Sequence, residues 1–184
     1  MPKKPGARGH GRSVHLGNAG EHLVMAHLLA QGFQAFRADR GNPAFDISVV
    51  DGSRHSLLRV KTTRFESAVW SRKITGETFL DRRRRDDYCC IVDLRGGVAA
   101  ARIYVIPTDV VQDAIDKGRR YWNAGRKKDG TKRVDSRQQR LSITDRTDRH
   151  AYEGFQIKWK EYLGDWDRLR GGRRAKPRRA NVTA

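Results

Sequence analysis

Residues 44–62 read AFDISVVDGSRHSLLRVKT, and their pattern is the strongest indication of the fold in this sequence. Its first part, Ala44–Val50, alternates apolar and polar residues, which is typical of a strand with one buried face. The segment Asp51–Arg54 has the composition of a tight turn, and His55–Thr62 returns as the partner strand. We therefore predict an antiparallel β-hairpin.

The turn also fixes the register of this hairpin, because it places Val50 opposite His55. Counting outward from that pair, Asp46 faces Arg59, and Lys61 lies one diagonal step away on the same face. Asp is uncommon in strand interiors. The register thus predicts a carboxylate and two cations at one spot.

A helix is predicted upstream, over Asn18–Gln31, with Asn18 as its N-terminal cap and Gly32 at its end. Glu21 falls on the apolar face of this helix, where a carboxylate is unfavourable unless it is paired or bound to metal. Two interpretations of Glu21 stay open. Its spacing from Asn18 is that of a capping box, and its apolar setting equally fits a catalytic carboxylate.

The remaining pattern completes an α/β core with the element order αβββαβ over residues 17–106. A helix is also predicted from Thr108 to Lys117, ending at Gly118. The other predicted elements are strands at Phe33–Asp39, Tyr88–Leu94 and Arg102–Ile106 and a helix near Phe79–Asp87.

The domain organisation follows from shifts in composition. The aromatic residues near the end, at helical spacing, predict an amphipathic helix docked on the core rather than a base-stacking platform; they are Tyr152, Phe155, Trp159, Tyr162 and Trp166. The predicted segments are a disordered basic tail (1–13), an α/β core (14–117), a basic insertion or loop (118–150), the docked helix (151–169) and a basic C-terminal extension that is disordered (170–184).

The charge of the chain points to a polyanionic partner. Lysine and arginine number 39 against 21 acidic residues, a formal net charge of +18. Both ends are basic, and the body between them is basic as well, which favours nucleic-acid binding over a merely soluble cationic surface.

Other classes of function lack their sequence signals. No apolar run approaches the ~20 residues that span a bilayer, and the N-terminus lacks the apolar stretch that a signal peptide is expected to have. The adjacent Cys89 and Cys90 point to opposite faces of a predicted strand, so neither a disulfide nor a metal clip is expected. A reducing, cytoplasmic setting fits these thiols.

Three short motifs, in order, carry a family resemblance. They are Gly17-x-x-Gly20-Glu21 opening a helix, Asn42-Pro43-Ala44-Phe45-Asp46-Ile47, and Leu58-Arg59-Val60-Lys61-Thr62-Thr63. Together they resemble the PD-(D/E)XK, or restriction-endonuclease-like, nuclease superfamily. The resemblance covers about half of the chain and implies a central mixed sheet of four to five strands flanked by helices.

The resemblance also implies an active site. Asp46 would be the central ligand of Mg²⁺ or Mn²⁺, with Glu21 as a second carboxylate and the Val60 carbonyl as a backbone ligand. Lys61 would orient or deprotonate the attacking water and stabilise the transition state. The sequence departs from the family at Arg59, where Glu, Asp or Gln is usual.

Arg59 leaves several hypotheses open. It can pair with Asp46 and block the metal, or it can bind a phosphate. The hypotheses are a Mg²⁺-dependent endonuclease acting on DNA, a nuclease-like protein that only binds nucleic acid, and an RNA-directed protein. DNA is favoured over RNA, and the oligomeric state, homodimer included, stays open. The predicted nucleic-acid contacts are Arg59, Arg64, Arg119, Arg120, Arg126, Lys127, Lys128, Lys132 and Arg133.

Overall fold

The computed structural model describes residues 8–39, 44–71, 87–135, 138–143 and 159–171. The elements are, in chain order, helix α1 (Arg8–Ala30), strands β1 (Gln34–Arg37), β2 (Ile47–Asp51), β3 (Arg54–Thr63), β4 (Ser67–Ser71), β5 (Asp87–Asp93) and β6 (Arg102–Pro107), helix α2 (Thr108–Ala124), strand β7 (Gln138–Ser142), helix α3 (Trp159–Tyr162) and a 3₁₀ helix (Trp166–Leu169).

A five-stranded sheet in the order β1-β2-β3-β5-β6 forms the centre of the fold. Strands β3 and β5 run parallel, and the other neighbours are antiparallel, so the sheet is mixed. The hairpin has the predicted register, with Val50 opposite His55, and Gly52 in its turn has a φ of +60° that favours glycine. The predicted α/β class, a mixed sheet flanked by helices, is confirmed.

The two faces of the sheet have separate apolar cores. On one face α1 packs through Val24 and Leu28, which are fully buried. On the other face α2 packs through Val111 and Ile115. Because successive strand residues point to opposite faces, this division decides on which side of the sheet each polar residue of β3 lies.

The adjacent cysteines divide between these cores, as predicted. Cys90 belongs to the core under α1, and Cys89 to the core under α2. Both thiols are free and buried. Burial raises the pKa of Cys89 to about 12 and raises the pKa of Cys90 as well, so neither thiol is a ready nucleophile.

A second, two-stranded sheet pairs β4 with β7 and was not predicted. Strand β4 lies in a stretch that the sequence pattern left unassigned, and β7 lies in the predicted loop of residues 118–150. Their side chains Ala68, Trp70 and Leu141 are buried in the core under α2. These two strands form because of tertiary packing rather than because of a local apolar pattern.

The helix boundaries differ from the prediction at both helices. Helix α1 begins at Arg8, so Asn18 is not its cap, the capping box is wrong, and residues 8–13 are helical rather than disordered. Helix α2 continues through Gly118, which is buried, to Ala124. A glycine inside a helix costs only about 1 kcal/mol, which packing can offset.

The predicted C-terminal helix is two shorter pieces, α3 and the 3₁₀ helix. Gly164 between them has a φ of +62°, which interrupts the helix. Trp159, Tyr162 and Trp166 of these pieces are buried. Several predicted features lie outside the described residues. They are Tyr152, Phe155, residues 1–7 and 172–184, and the predicted helix near Phe79–Asp87, of which only Asp87 is described, in β5.

Among the described residues, no helix is both long enough and apolar enough to cross a bilayer.

Candidate active site

Asp46 lies immediately before β2, where the pairing with β3 becomes irregular. Its N–H donates to the Leu58 carbonyl at 2.9 Å, although Leu58 is already the partner of Ile47. Two residues therefore oppose one, the arrangement of a β-bulge. Asp46 Oδ2 accepts the Val60 N–H at 2.7 Å. The carboxylate is thus held by the backbone of the neighbouring strand.

The bulge changes the predicted relation of Asp46 to Arg59. The ladder of β2 and β3 ends at Ile47 opposite Leu58, so the predicted ladder pair of Asp46 and Arg59 does not form. Arg59 Nη2 instead donates to the Ala44 carbonyl at 2.9 Å. The guanidinium stays close enough to lower the pKa of Asp46 electrostatically.

Lys61 lies on the same face of β3 as Arg59, because residues two apart share a face. This face is opposite to Leu58, which is buried under α1. The Lys61 Nζ lies 5.9 Å from the centre of the Trp70 ring. Burial lowers the pKa of Lys61, and Arg59 lowers it further, while Asp46 acts in the opposite direction.

Glu21 reaches the site from α1, and a neighbouring glycine permits its approach. Any Cβ on Gly20 would collide with the Thr62 hydroxyl, so only glycine lets α1 lie this close to β3. Glu21 is partly buried and forms a 2.6 Å ion pair with Arg37 of β1. The start of α1 at Arg8 excludes the capping interpretation of Glu21.

Opposing effects act on the pKa of Asp46 at this site. Burial raises the pKa of Asp46, and the Glu21 carboxylate raises it further. The Val60 N–H, Arg59 and Lys61 act in the opposite direction without cancelling the rise. Asp46 therefore interacts electrostatically with Glu21 and with Lys61, and burial favours the neutral forms of Asp46 and Lys61.

The oxygen donors suit a hard divalent cation in part. Asp46, Glu21 and the Val60 carbonyl are the predicted ligands, and the Val60 carbonyl points to the same side as its N–H, towards Asp46. Mg²⁺ commonly uses one or two carboxylates together with water and substrate phosphate. In the described ranges, however, no group of three or more His, Cys, Asp or Glu side chains forms a metal cluster.

The other predicted nucleic-acid contacts are spread over three places. Arg64 is exposed in the turn after β3, and Arg119 and Arg120 lie on α2 rather than in a loop. The remaining ones lie beyond α2, around an isolated antiparallel bridge of Arg126 with Lys132. Of these predicted contacts, Arg59 alone lies near Asp46.

Sequence analysis missed Arg37 and Trp70, which contact Glu21 and Lys61. Arg37 had no local signal, because its partner is sixteen residues earlier in the chain. Trp70, a large apolar residue in a polar stretch, was a signal of burial that could have been used.

The solved structures that are similar to this chain include two nucleic-acid-processing proteins. One is a bacterial homing endonuclease, at 14% sequence identity and a TM-score of 0.45, over 83% of this chain and 86% of that chain. The other is a Holliday junction resolvase of the archaeal hyperthermophile Archaeoglobus fulgidus, at 17% identity and a TM-score of 0.37, over 51% of this chain and 74% of that chain. No family model and no curated protein matches the sequence.

Proposed function

We propose that this chain is a Mg²⁺-dependent endonuclease that hydrolyses phosphodiester bonds in DNA. Glu21 and Asp46 hold the metal ion, and Lys61 is the catalytic lysine. The observation that carries this proposal is the bond from the Val60 N–H to Asp46 Oδ2, at 2.7 Å. It fixes a carboxylate beside the strand that bears Lys61.

The electrostatics of the carboxylates support a cation between them. Asp46 and Glu21 repel each other enough to contribute to the raised pKa of Asp46. Asp46 Oδ2 accepts the Val60 N–H, and an ionised carboxylate has further lone pairs with which Asp46 would hold the metal ion. A bound Mg²⁺ would lower the pKa of a water molecule and neutralise charge on the phosphate.

Lys61 can act on either the water or the phosphate. Its lowered pKa brings it nearer to the range in which a lysine accepts a proton, which suits a base. While protonated, its ammonium group stabilises negative charge that develops on the phosphate oxygens. Arg59 adds a second cation on the same face of β3.

A second candidate is a protein of this fold that binds nucleic acid without cutting it. Two observations favour it. Arg59 occupies the position of a family acid or Gln, and Arg37 holds Glu21 in a 2.6 Å ion pair that must open or be shared when a metal ion binds. In this candidate the cations of the site replace the metal ion.

The deciding experiment compares the natural chain with Asp46→Asn. Supercoiled plasmid and linear duplex DNA are incubated with Mg²⁺, Mn²⁺ or EDTA, and an RNA duplex of the same sequence is included. We expect metal-dependent cleavage of DNA that Asp46→Asn lowers by at least about 100-fold. Lys160→Ala, which removes an exposed charge on α3, is the control and keeps full activity.

Metal binding is measured separately from cleavage. Mg²⁺ should raise the melting temperature of the natural chain, since a ligand of the folded state stabilises it, and should leave Asp46→Asn unchanged. If neither DNA nor RNA is cleaved with either metal, the result supports the candidate that only binds nucleic acid. Preferential cleavage of RNA overturns the choice of DNA.

A further inference from the structure

Beyond α2 the chain forms a small hairpin over residues 125–133, which we name the basic hairpin. Arg126 and Lys132 form its antiparallel bridge. The Lys127 N–H donates to the Thr131 carbonyl at 2.8 Å, which closes the turn. This part of the predicted loop therefore has a defined backbone.

The charges of the basic hairpin face solvent. The one acid, Asp129, is used internally, because its Oδ1 accepts the Thr131 N–H at 2.9 Å and the Thr131 hydroxyl at 2.6 Å. Of the cations, Arg126 also contributes to the turn, because its Nη1 donates to the Gly130 carbonyl at 3.0 Å. The exposed cations are Arg126, Lys127, Lys128 and Lys132.

The base of the hairpin is fastened to the end of α2. The Arg133 guanidinium lies 3.9 Å from the centre of the Trp122 ring. Asn123 Nδ2 donates to Asp135 Oδ1 at 3.3 Å. Gly125 lies directly under the guanidinium, where a Cβ would come within 3.3 Å of Arg133 Nη1. The hairpin therefore projects in a fixed direction, which lowers the entropy lost on binding.

The chain path places this hairpin near the candidate active site. Gln139 of β7 pairs with Trp70, and the Trp70 ring faces the Lys61 ammonium at 5.9 Å. Arg133 precedes Gln139 by six residues, so the chain allows at most roughly 20 Å between them. One turn of duplex DNA is longer, about 34 Å.

We propose that the basic hairpin binds the phosphate backbone of duplex DNA within one helical turn of the bond to be cut. Its exposed cations contact phosphates, and Trp122 is a positioning residue that holds Arg133. The inference rests on the proposed function for the choice of DNA and for the position of the cut. Binding by the hairpin itself does not depend on cleavage.

The test measures binding by fluorescence anisotropy in EDTA, where metal-dependent cleavage does not interfere. The hairpin variant is Lys127→Ala/Lys132→Ala. Its control, Lys117→Ala/Lys160→Ala, removes the same charge from exposed positions outside the hairpin. Each phosphate contact adds about 0.9 to the salt slope.

We expect the hairpin variant to lower the slope of log affinity against log salt by about 1.8 and the affinity in about 0.1 M salt roughly 60-fold. The control should change affinity less than about 3-fold, since general charge is a weaker effect than direct contact. Equal losses in the two variants, or a natural slope in the hairpin variant, would overturn the proposal.

Trp122 is tested by rescue. Trp122→Ala keeps every cation of the hairpin, so weaker binding with an unchanged melting temperature supports a positioning role. Trp122→Phe should restore binding, because a phenyl ring also attracts a guanidinium. Natural affinity in Trp122→Ala would contradict this role.

The outcomes separate the two proposals. Hairpin-dependent binding of DNA without any cleavage supports the hairpin and overturns the proposed function. Tighter binding of an RNA duplex through the same lysines overturns the choice of DNA.

Discussion

The two ends of strand β3 carry polar clusters that differ in how their charges are satisfied. At the hairpin end, Arg54 donates to the Tyr88 hydroxyl at 2.7 Å and to the Arg170 carbonyl at 3.0 Å. Asp51 accepts the Gly171 N–H at 2.8 Å and pairs with the Arg170 guanidinium. Each of these contacts joins a donor to an acceptor, and together they fasten the C-terminal segment to the hairpin.

At the other end of β3, like charges meet. Asp46 lies near Glu21, Lys61 lies near Arg59, and burial disfavours the ionised forms of both Asp46 and Lys61. The first cluster stabilises the fold. In the second, burial and like charge shift the pKa values of Asp46 and Lys61 against favourable contacts that act in the opposite direction, and shifted pKa values of this kind are common at functional sites.

The largest expected effect is on cleavage, at the Lys61 end. Lys61→Ala should lower metal-dependent cleavage by about 1,000-fold, the scale of a lost general base or electrostatic group. The control is Lys117→Ala, which removes one lysine from α2 and should leave the rate of cleavage unchanged. Cleavage within about 3-fold of the natural rate in Lys61→Ala removes this lysine from the mechanism.

The pH profile separates the two roles of Lys61. Since its pKa is lowered from 10.5, a basic Lys61 predicts a rate that rises with pH and levels off below pH 10.5. A purely cationic role predicts the reverse, a rate that falls through the same pKa. Lys61→Arg, which stays charged, should be inactive in the first case and active in the second.

Arg59→Glu is expected to have the next largest effect. Two unit charges at ~4 Å interact by about 4 kcal/mol at an effective dielectric near 20, enough to weaken Mg²⁺ binding. Removing this cation should raise Mg²⁺-dependent cleavage about 10-fold, and adding Lys61→Ala should abolish the gain. Because Arg59 also holds the Ala44 carbonyl, Arg59→Lys, which keeps the positive charge but loses the guanidinium, serves as the control for loss of that bond.

Impaired cleavage in Arg59→Glu, beyond that of Arg59→Lys, gives the opposite interpretation. Arg59 is then a phosphate contact in an intact enzyme. No cleavage by the natural chain or by either variant supports the protein that only binds.

The hairpin and its register were predictable because turn composition and strand alternation are local signals. The same counting placed Asp46 and Lys61 on neighbouring strands. It missed the bulge, since the second bond to Leu58 depends on how the chain approaches β2 rather than on the residues of the ladder.

Other features depend on contacts that are distant in sequence. Arg37 reaches Glu21 across the fold, and β4 pairs with β7 some seventy residues away. The start of α1 was missed because glycines and polar residues dilute the apolar pattern between Arg8 and Asn18. Packing against the sheet decides such segments.

A substitution at the hairpin end of β3 should lower the stability of the protein without lowering its rate of cleavage. Tyr88→Phe removes the hydroxyl that accepts from Arg54 and donates to the Arg168 carbonyl at 3.1 Å. A buried donor left without a partner costs about 2 kcal/mol, or about 4–8 °C in melting temperature for a chain of this size. Tyr121→Phe, on an exposed tyrosine, should melt like the natural chain. Lost cleavage in folded Tyr88→Phe would break the division between the two ends.

The smallest expected effect is an increase in stability at the other end. The folded-state pKa of Asp46 is raised above 3.8, first by burial, so ionised Asp46 destabilises the folded state. This loss is absent below pH 3.8 and develops as the pH rises through the folded-state pKa.

Asp46→Asn is neutral at every pH and can still accept the Val60 N–H. It should therefore melt above the natural chain at neutral pH without metal and lose this advantage in acid. Asp113→Asn, on an exposed aspartate of α2, controls for loss of a charge. A lower melting temperature for Asp46→Asn at neutral pH would mean that Lys61 and Arg59 already compensate the carboxylate, and the contrast between the two ends of β3 would fail.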